Sequence, residues 1–391
     1  MRTLKGDQGT VRALNRRLIL NHIRQSGPVS RARLAEITGL SPAAVTAVTA
    51  ELIADQFLFE RALGESSGGR PPILLDLAVK AHYAVGLKLT ESRLIAVLTD
   101  LSTQVIEQAS LNLEHHDPAY IADLADGISR ELLERVQASR ERLIGVGLGL
   151  AGVVDASSGV CLSSPYLGWR GVPIADLIRE RLGASVWIDN DVNAFAAAER
   201  LFGHGKRAQN FVVVTVGRGI GSGLVLGGEV YRGRDGGAGE FGHTLSEPGG
   251  RACECGNQGC LEAYASEPAL VDRYNGRVTK KNAVRDIHGF LERAGRGDKV
   301  SLGLLEDAGC RVGRGLANLV NLLNPELIVI GGEGVRLGEA FFGPLRRTMH
   351  DHAFNGLAEN LPIFIDAWGD DAWARGAAAL AVQRAFDLGS I

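Results

Sequence analysis

The chain has 391 residues, of which 45% are hydrophobic and 22% are charged, and its formal net charge is -3. This length exceeds one ordinary core, so we expect two or three domains of a soluble globular protein. No apolar run is long enough to span a bilayer, and the basic N-terminus lacks the apolar stretch of a signal peptide. The composition excludes a membrane protein and predicts a cytoplasmic location, where cysteines bind metal more often than they form disulfides.

The charge is unevenly distributed along the chain. Residues 1–33 contain eight arginines and lysines against one aspartate, so this end carries +7 and the remainder carries -10. A basic end on an otherwise acidic chain is typical of a nucleic-acid-binding module. A solvated charged helix has the same composition, so charge alone leaves both interpretations open.

Residues 1–76 show the pattern of a winged helix-turn-helix. A first helix ends at Ser26-Gly27-Pro28, a strong stop signal. Its expected buried face comprises Leu14, Leu18, Ile19 and Ile23. Ser30 can cap a short second helix, and Ser41 followed by proline can cap a third. Strands at 57–61 and 73–77 would form a wing around a glycine-rich tip.

The third predicted helix has small side chains on the face opposite its buried valines. Such a face can lie close to base edges in a major groove. In the wing tip, an arginine held extended before proline can enter a narrow minor groove. The predicted DNA-contacting residues are Arg31, Arg33, Ser41, Ala43, Ala44, Thr46, Ala47 and Arg70. A small packing or dimerisation domain is the alternative for the module, and an ordinary hairpin arginine is the alternative for Arg70.

Residues 77–391 alternate strands and helices in two similar series. Three alternating runs within 82–113 predict a meander, which a helix near 119–138 and the strand LIGVGLGLAG follow. The second series begins at Phe211 with another hairpin pattern. We therefore expect an α/β body of two lobes with a cleft between them. The first lobe would comprise 77–195 with a C-terminal helix at 370–391, and the second 196–369.

A run of polar residues marks the segment WIDNDVNAFAAAE. Asp189, Asn190, Asp191 and Asn193 follow a predicted strand and precede an alanine-rich helix. They are expected on the connecting turn, at the cleft, where they can hydrogen-bond several hydroxyl groups. A helix cap would need only one of the four, so the excess favours a ligand site.

The segment HTLSEPGGRACECGNQGCLE, residues 243–262, predicts a metal site. Its three cysteines lie within eight residues, and a histidine stands ten positions before the first. The predicted ligands are His243, Cys253, Cys255 and Cys260. Three thiolates and one imidazole are a complete tetrahedral set for structural Zn²⁺, and interleaved glycines let the backbone fold tightly around an ion. Glu240 and Glu262 flank the cluster, which suggests a polar ligand beside the metal.

Together these features resemble the ROK family of repressors, open reading frames and sugar kinases. The resemblance rests on the CxCGxxGCxE spacing, GGAGEFGH at 236–243, DNDVNAFAAAE at 189–199 and AWARGAAAL at 372–380. With the N-terminal module, the chain is similar to the branch of repressors that respond to N-acetylglucosamine, xylose or glucose. The resemblance implies an actin-like, hexokinase-like body. It also implies sugar-binding residues, namely Gly152, Asn190, Asp191, Glu240, His243 and Glu262, with Asp191 at the position of the kinase base.

Two departures separate this chain from the family's kinases. Those kinases hold ATP phosphates on a DxGGTK turn, whereas the stretch Lys88–Ser92 here has a lysine for the aspartate and Thr90 and Glu91 for the glycines. The second phosphate loop, 217–221, has Arg218 in place of a small hydroxyl residue.

We therefore predict a sugar-responsive repressor without kinase activity, which binds double-stranded operator DNA as a homodimer or homotetramer. Because Asp191 is intact, an ATP-dependent sugar kinase with an added DNA-binding head stays open as the alternative. A sugar-binding scaffold that does not touch DNA is a third possibility.

Overall fold

The computed structural model describes residues 8–62, 73–366 and 371–386. The chain divides into two units, one made of Met1–Phe202 and Trp373–Ile391 and the other of Gly203–Ala372. In the described ranges no single helix is long and apolar enough to cross a bilayer; one pair, Arg31–Thr38 with Pro42–Ala54, meets the criteria together but is bent by 119°.

The N-terminal module contains the three helices and the wing that the sequence predicts. Its elements are α1 (Gln8–Ser26), β1 (Val29–Ser30), α2 (Arg31–Thr38), α3 (Pro42–Ala54), β2 (Leu58–Ala62) and β3 (Ile73–Leu77). The hydroxyl of Ser30 caps α2 and that of Ser41 caps α3, each accepting a backbone N–H at 3.2 Å. The sheet order is β1-β3-β2. The short strand β1 was not predicted, because two residues are too few to show an alternating pattern.

The buried face of α1 differs from the predicted one. The side chains that α1 buries fully are Ile19, Leu20 and Ile23. Leu14 and Leu18, which were expected beside them, are 52% and 43% exposed. In this half of the helix, ion pairs from Arg12 and Arg16 to Glu51 join α1 to α3 instead. Apolar spacing identifies the stripe on a helix but does not show how much of its length is covered.

The first α/β series forms a five-stranded sheet with the order β11-β7-β4-β5-β6. Its elements are β4 (Tyr83–Leu89), β5 (Arg93–Thr99), β6 (Val105–Asn112), α4 (Pro118–Arg135), β7 (Leu143–Leu150), β8 (Val153–Asp155), β9 (Val160–Ser164), β10 (Trp169–Val172), α5 (Ile174–Leu182), β11 (Val186–Asn190) and α6 (Asp191–Phe202). Strands β4, β7 and β11 pair in parallel, whereas β5 pairs antiparallel with both of its neighbours, β4 and β6. The predicted meander of β4, β5 and β6 is confirmed.

The second unit contains another five-stranded sheet, with the order β14-β13-β12-β15-β16. Its elements are β12 (Phe211–Val216), β13 (Ile220–Leu226), β14 (Glu229–Tyr231), α7 (Glu262–Ala265), α8 (Glu267–Asn275), α9 (Ile287–Gly295), α10 (Lys299–Leu323), β15 (Leu327–Gly331), α11 (Glu339–His352) and β16 (Ile363–Ile365). The predicted hairpin after Phe211 is confirmed, and the segment LIVIG forms β15. Apolar side chains of α10 and α11 pack with those of β12 and β15 in one core.

The last helix, α12 (Asp371–Phe386), returns to the sheet of the first unit. Gly86 of β4 and Gly147 of β7 are register partners. A Cβ on Gly86 would lie 1.9 Å from the carbonyl oxygen of Ala374, and one on Gly147 would lie 1.8 Å from that of Ala377. Glycine is required at both positions because the helix backbone rests directly on the sheet.

The junction between β11 and α6 corrects one expectation. The strand ends at Asn190 and the helix begins at Asp191, so no connecting turn separates them. Asp189 and Asn193 are each 1% exposed and hydrogen-bond to one another at 3.1 Å. The Oδ1 of Asn190 accepts the N–H of Val192 at 2.9 Å and caps the helix. Three of the four polar residues, Asp189, Asn190 and Asn193, therefore stabilise the junction between the strand and the helix.

Candidate functional site

Four side chains of the second unit converge into a candidate metal centre. The ligand atoms of His243, Cys253, Cys255 and Cys260 all lie within 4.8 Å of one another. The Sγ of Cys253 is 3.6 Å from the Nδ1 of His243, and the Sγ atoms of Cys255 and Cys260 are 3.7 Å apart. Tetrahedral bonds of the length found for zinc place such S···N and S···S pairs about 3.6 and 3.8 Å apart. The cluster can hold a four-coordinate metal ion.

The segment that carries the four candidate ligands, residues 243–262, is called the metal loop, and its backbone bends through two glycines, as predicted. Gly256 and Gly259 have φ angles of +92° and +80°, and a Cβ on Gly259 would lie 1.8 Å from the carbonyl oxygen of Glu247. The loop brings its thiols so close that they affect each other's ionisation. Burial, followed by the neighbouring Cys255 and Cys253, raises the pKa of Cys260 to about 12. A bound cation is what allows such a group of thiols to ionise together.

A tyrosine and two arginines hold the metal loop against the helices of its unit. The hydroxyl of Tyr264 accepts the N–H of Arg251 at 2.7 Å. The guanidinium of Arg311, on α10, lies 4.0 Å from the ring centre of Tyr264. It also donates to the hydroxyl of Ser246 at 3.1 Å and to the carboxylate of Glu247 at 2.9 Å. These residues were not predicted, because no local spacing relates a helix to a loop 64 residues away.

The predicted sugar-binding residues of this unit lie around the metal cluster. Glu240 precedes the 3₁₀ turn Phe241–His243, and its carboxylate is 3.8 Å from the Nε2 of His243, the ring nitrogen that does not face the thiols. Glu262 opens α7 and is 8% exposed. Its Oε2 accepts the N–H of Ile220 at 2.8 Å. The carboxylate is thus held in place by the first residue of β13, which follows the glycine-rich loop that joins β12 to β13.

That glycine-rich loop, residues 217–219, is surrounded by carboxylates. A Cβ on its first glycine would lie 2.2 Å from the carboxylate of Glu333, and one on its second glycine would lie 3.0 Å from that of Glu262. Arg218, between the glycines, forms an ion pair with Glu254 of the metal loop at 3.1 Å. Negative charge next to the loop disfavours a phosphate group there.

The predicted sugar-binding residues of the first unit lie together at the end of β11. The Nδ2 of Asn190 donates to the carbonyl oxygen of Gly152 at 3.0 Å, and Asp191 follows directly as the first residue of α6. Gly152 has a φ angle of +133°, and a Cβ there would lie 2.3 Å from the carbonyl oxygen of Ser163. The approach of the chain around β9 therefore requires this glycine.

Asp191 forms a largely buried salt bridge that the sequence analysis did not predict. Its partner is Lys88, and the two side chains are 13% and 10% exposed. The Nζ of Lys88 also lies 5.0 Å from the ring centre of Trp373, where the aromatic face favours a cation. The carboxylate that the resemblance places at the position of the kinase base is thus held by an ammonium group.

The backbone N–H groups of the turn after β4 are hydrogen-bonded to a side chain of the same turn. The Oγ1 of Thr90 accepts the N–H groups of Ser92 at 3.3 Å and Arg93 at 2.9 Å, and it donates to the carbonyl oxygen of Arg93 at 3.0 Å. A phosphate-binding turn presents such N–H groups to the ligand. Here a side-chain hydroxyl occupies them.

Helix α3 exposes the small side chains that were predicted to face DNA. Ser41, Ala43, Thr46 and Ala47 are exposed, and Ala44 is half-buried. The opposite side of the helix is buried and comprises Val45, Val48, Thr49 and Leu52. A duplex approaching the first turns of this face would meet small side chains.

The predicted basic contacts occupy different environments. Arg31 donates to the hydroxyl of Thr49 at 3.0 Å and to the carboxylate of Glu60 at 2.8 Å, so it links parts of the module. Arg33 is 64% exposed and pairs with Glu36 at 2.8 Å. Arg70 lies outside the described residues.

The fold and the site define a class of DNA-binding protein in which a winged helix-turn-helix is joined to an α/β body that carries a His-Cys₃ cluster. The profile named winged helix-turn-helix DNA-binding matches residues 12–58, and that of the ROK family matches residues 84–384. The chain belongs to the ROK family, as the sequence motifs indicated.

Two relatives are similar over almost their full lengths. The xylose repressor of Bacillus spizizenii is 30% identical, with 98% of each chain covered. The DNA-binding transcriptional dual regulator NagC of Escherichia coli is 31% identical, with 97% of this chain and 95% of NagC covered.

Solved structures of the family also match. A ROK family transcriptional regulator described as a homologue of the E. coli MLC protein has a TM-score of 0.86 at 27% identity, with 97% of this chain and 98% of that chain covered. A ROK family glucokinase from Streptomyces griseus, solved with glucose and AMPPNP, has a TM-score of 0.66 at 29% identity. The match covers 77% of this chain and 99% of the glucokinase chain.

Proposed function

We propose that this protein is a sugar-responsive repressor that binds operator DNA through its winged helix-turn-helix and a sugar effector through its ROK body. The observation that carries the proposal is similarity to named repressors over nearly the whole chain, N-terminal module included. The exposed small-residue face of α3 supports the DNA-binding part. The named repressors that it resembles are DNA-binding regulators, and we propose a cytoplasmic location for this chain as well.

The sugar is bound by carboxylates and amides that hydrogen-bond its hydroxyl groups. The proposed ligand residues are Gly152, Asn190, Asp191, Glu240, His243 and Glu262. In support, Asn190 and Gly152 are already joined at 3.0 Å, and Glu262 is fixed by the N–H of Ile220. His243 directs Nδ1 towards the thiols, so its Nε2 is the nitrogen available to a ligand. A metal-bound histidine with its second nitrogen hydrogen-bonded is held in one orientation.

The metal ion is Zn²⁺ with a structural role. The donor set of three thiols and one imidazole favours zinc, and the S···S and S···N separations suit its bond lengths. All four ligands come from protein, which leaves no position for a reacting water. The ion would hold the loop between His243 and Glu262, both of which belong to the proposed sugar site.

The kinase alternative is disfavoured by two features of the first unit. Lys88 pairs with Asp191, the carboxylate that would act as base, and the hydroxyl of Thr90 occupies N–H groups that a phosphate would need. We infer that the ATP site is lost while the sugar site is retained. A coupled ADP-release assay over hexoses, pentoses and amino sugars tests this directly, because turnover of about 1 per second or more would establish an enzyme.

Two copies of the winged helix-turn-helix would each bind one half of an operator. Two copies in a homodimer or homotetramer would place two α3 helices in successive major grooves of an inverted repeat. The proposed contacts come from Ser41, Ala43, Ala44, Thr46 and Ala47 at base edges, Arg31 and Arg33 at phosphates, and Arg70 in the minor groove. Both arginines have acidic partners, but the side chain of Arg33 is 64% exposed and that of Arg31 is 29% exposed, so Arg33 is the more accessible cation.

The proposal is tested by finding both ligands with the full-length protein. Genomic fragments retained on the protein identify an operator, and a thermal-shift screen with D-xylose, D-glucose and N-acetyl-D-glucosamine identifies a sugar, since a ligand of the native state raises the melting temperature. Asp191→Asn is the control that should lose the sugar-induced shift. If no fragment is retained, the DNA-binding role is contradicted. Turnover of ATP would instead support the alternative function, a sugar kinase.

A further inference from the structure

A buried arginine joins the first helix of the DNA-binding module to the body. Arg24, on α1, is 7% exposed. Its guanidinium donates to the carbonyl oxygen of Leu201 and lies 5.8 Å from the ring centres of Phe202 and Phe386. Beside it, the Nδ2 of Asn21 donates to the carbonyl oxygen of Phe386 at 3.2 Å. Helix α1 therefore binds the last residues of both α6 and α12.

The opposite ends of the same two helices lie beside the salt bridge of Lys88 and Asp191. Asp191 is the first residue of α6, and Trp373, in the first turn of α12, lies 5.0 Å from the Nζ of Lys88. The helices approach closely at Gly376, where a Cβ would lie 3.1 Å from the backbone nitrogen of Phe195. At 1.5 Å per residue, α6 bridges about 18 Å between its two ends.

The position of Arg24 explains why this attachment is specific. The carbonyl of Leu201 is among the last four of α6, which have no N–H partner inside the helix. A cation at this end also interacts favourably with the helix dipole. Because a guanidinium is costly to bury without partners, Arg24 disfavours any placement of α1 that separates it from the end of α6.

We propose that α6 and α12 couple sugar binding at Asp191 to the DNA-binding module, with Arg24 and Asn21 as the positioning residues that attach the module to them. The inference rests on the proposed function, since it takes a sugar at Asp191 and an operator at the module. A sugar hydroxyl that binds Asp191 competes with Lys88 for the carboxylate. A displacement of the first turn of α6 is then passed along a rigid helix to its last carbonyls, and so to Arg24.

The sugar changes operator affinity only as far as it binds one arrangement of this assembly more tightly than the other. Removing the attachment should leave each binding site intact and abolish their coupling. That separation distinguishes a positioning role from a general loss of structure.

Three variants isolate the attachment. Arg24→Gln removes the cation at the end of α6. Asn21→Ala removes the bond to Phe386 and the amide oxygen that accepts the Nε–H of Arg24 at 3.2 Å, but it leaves the cation itself. Arg142→Gln is the matched control, because this guanidinium also donates to backbone carbonyls, at 2.5 and 2.7 Å, and lies 4.6 Å from an aromatic ring, but those contacts are with residues 80–83.

The experiment measures operator affinity by fluorescence anisotropy, without sugar and with saturating D-xylose, D-glucose or N-acetyl-D-glucosamine. Calorimetry gives the sugar affinity of the DNA-free protein. For the wild type and Arg142→Gln we expect a sugar-induced change in operator Kd of about tenfold or more, within the usual range of allosteric coupling. For Arg24→Gln the change should fall to about twofold or less, with an intermediate value for Asn21→Ala and a sugar Kd within about threefold of wild type throughout.

The outcomes separate the inference from the proposed function. A full sugar response in Arg24→Gln, or an equal loss of response in Arg142→Gln, overturns the inference and leaves the proposed function standing. A wild-type protein that binds operator but responds to none of the sugars overturns both. If Arg24→Gln cannot be purified, Asn21→Ala decides, since a response equal to that of the wild type overturns the inference.

Discussion

Replacing Lys88 with methionine tests whether the salt bridge to Asp191 is a buried and energetically coupled pair. The two side chains are 10% and 13% exposed, and the ammonium also faces the ring of Trp373. Methionine keeps much of the volume of lysine but removes its charge. The carboxylate of Asp191 would then remain in a poorly hydrated position without a cation.

Breaking a buried ion pair from one side costs about 3–5 kcal/mol, because the remaining charge is uncompensated. The residual exposure of both groups places our expectation near the lower end, about 3 kcal/mol. In a domain of this size, 1 kcal/mol shifts the melting temperature by about 2–4 °C, so the first unit should melt about 6–12 °C lower. Adding Asp191→Asn removes the stranded charge and should recover most of the loss, with a coupling energy of about 2 kcal/mol.

The assay is thermal and urea unfolding of the wild type, both single variants and the double variant at constant zinc. Arg135→Met is the control, because Arg135 is 44% exposed and its partners Glu131 and Glu107 are 47% and 34% exposed, and each such pair contributes about 0–1 kcal/mol. A loss below about 1 kcal/mol for Lys88→Met, or strictly additive single variants, would refute the assignment of a coupled buried pair.

Four further substitutions test the metal, the loop support and the DNA contacts. Cys255→Ser should lower metal affinity more than about 100-fold, and full metal retention by elemental analysis would contradict the site. Tyr264→Phe deletes the acceptor of the Arg251 N–H, so the stability of the metal loop should fall by about 1 kcal/mol. An unchanged rate of zinc release to a chelator would argue against that support. Ala47→Glu should weaken operator binding about tenfold or more by placing a carboxylate at the groove. Arg70→Ala should weaken operator binding and flatten its dependence on flanking A·T content, and unchanged affinity at matched salt would remove this residue from the interface.

The parts of the fold that local spacing determines could be predicted from the sequence. The serine caps of α2 and α3, the strands of both hairpin series and the glycine bends of the metal loop each depend on residues a few positions apart. The metal cluster belongs to the same group, because three of its four ligands lie within eight residues. Such features are encoded locally, and the rest of the chain only has to leave them undisturbed.

The features that the sequence did not predict depend on distant partners. Lys88 meets Asp191 across 103 residues, and Arg24 meets Leu201 across 177. The exposed stretch of α1 has the same origin, since its apolar spacing is regular but only its C-terminal half is covered. Pattern reasoning finds an amphipathic face, whereas the extent of burial is set by what the rest of the chain places against it.

The salt bridge also changes the significance of one residue. An intact Asp191 was the strongest sequence argument for a kinase, because a catalytic base needs a free carboxylate near its substrate. At the turn, the sequence showed only that Thr90 and Glu91 replace the two glycines of the phosphate-binding pattern. For the loss of kinase activity that we propose, the structure offers a more specific cause, in which Lys88 pairs with Asp191 and the Thr90 hydroxyl accepts N–H groups of the turn. Because a sugar hydroxyl can compete with Lys88 for this carboxylate, the substitution that would oppose catalysis is compatible with the ligand sensing that we propose.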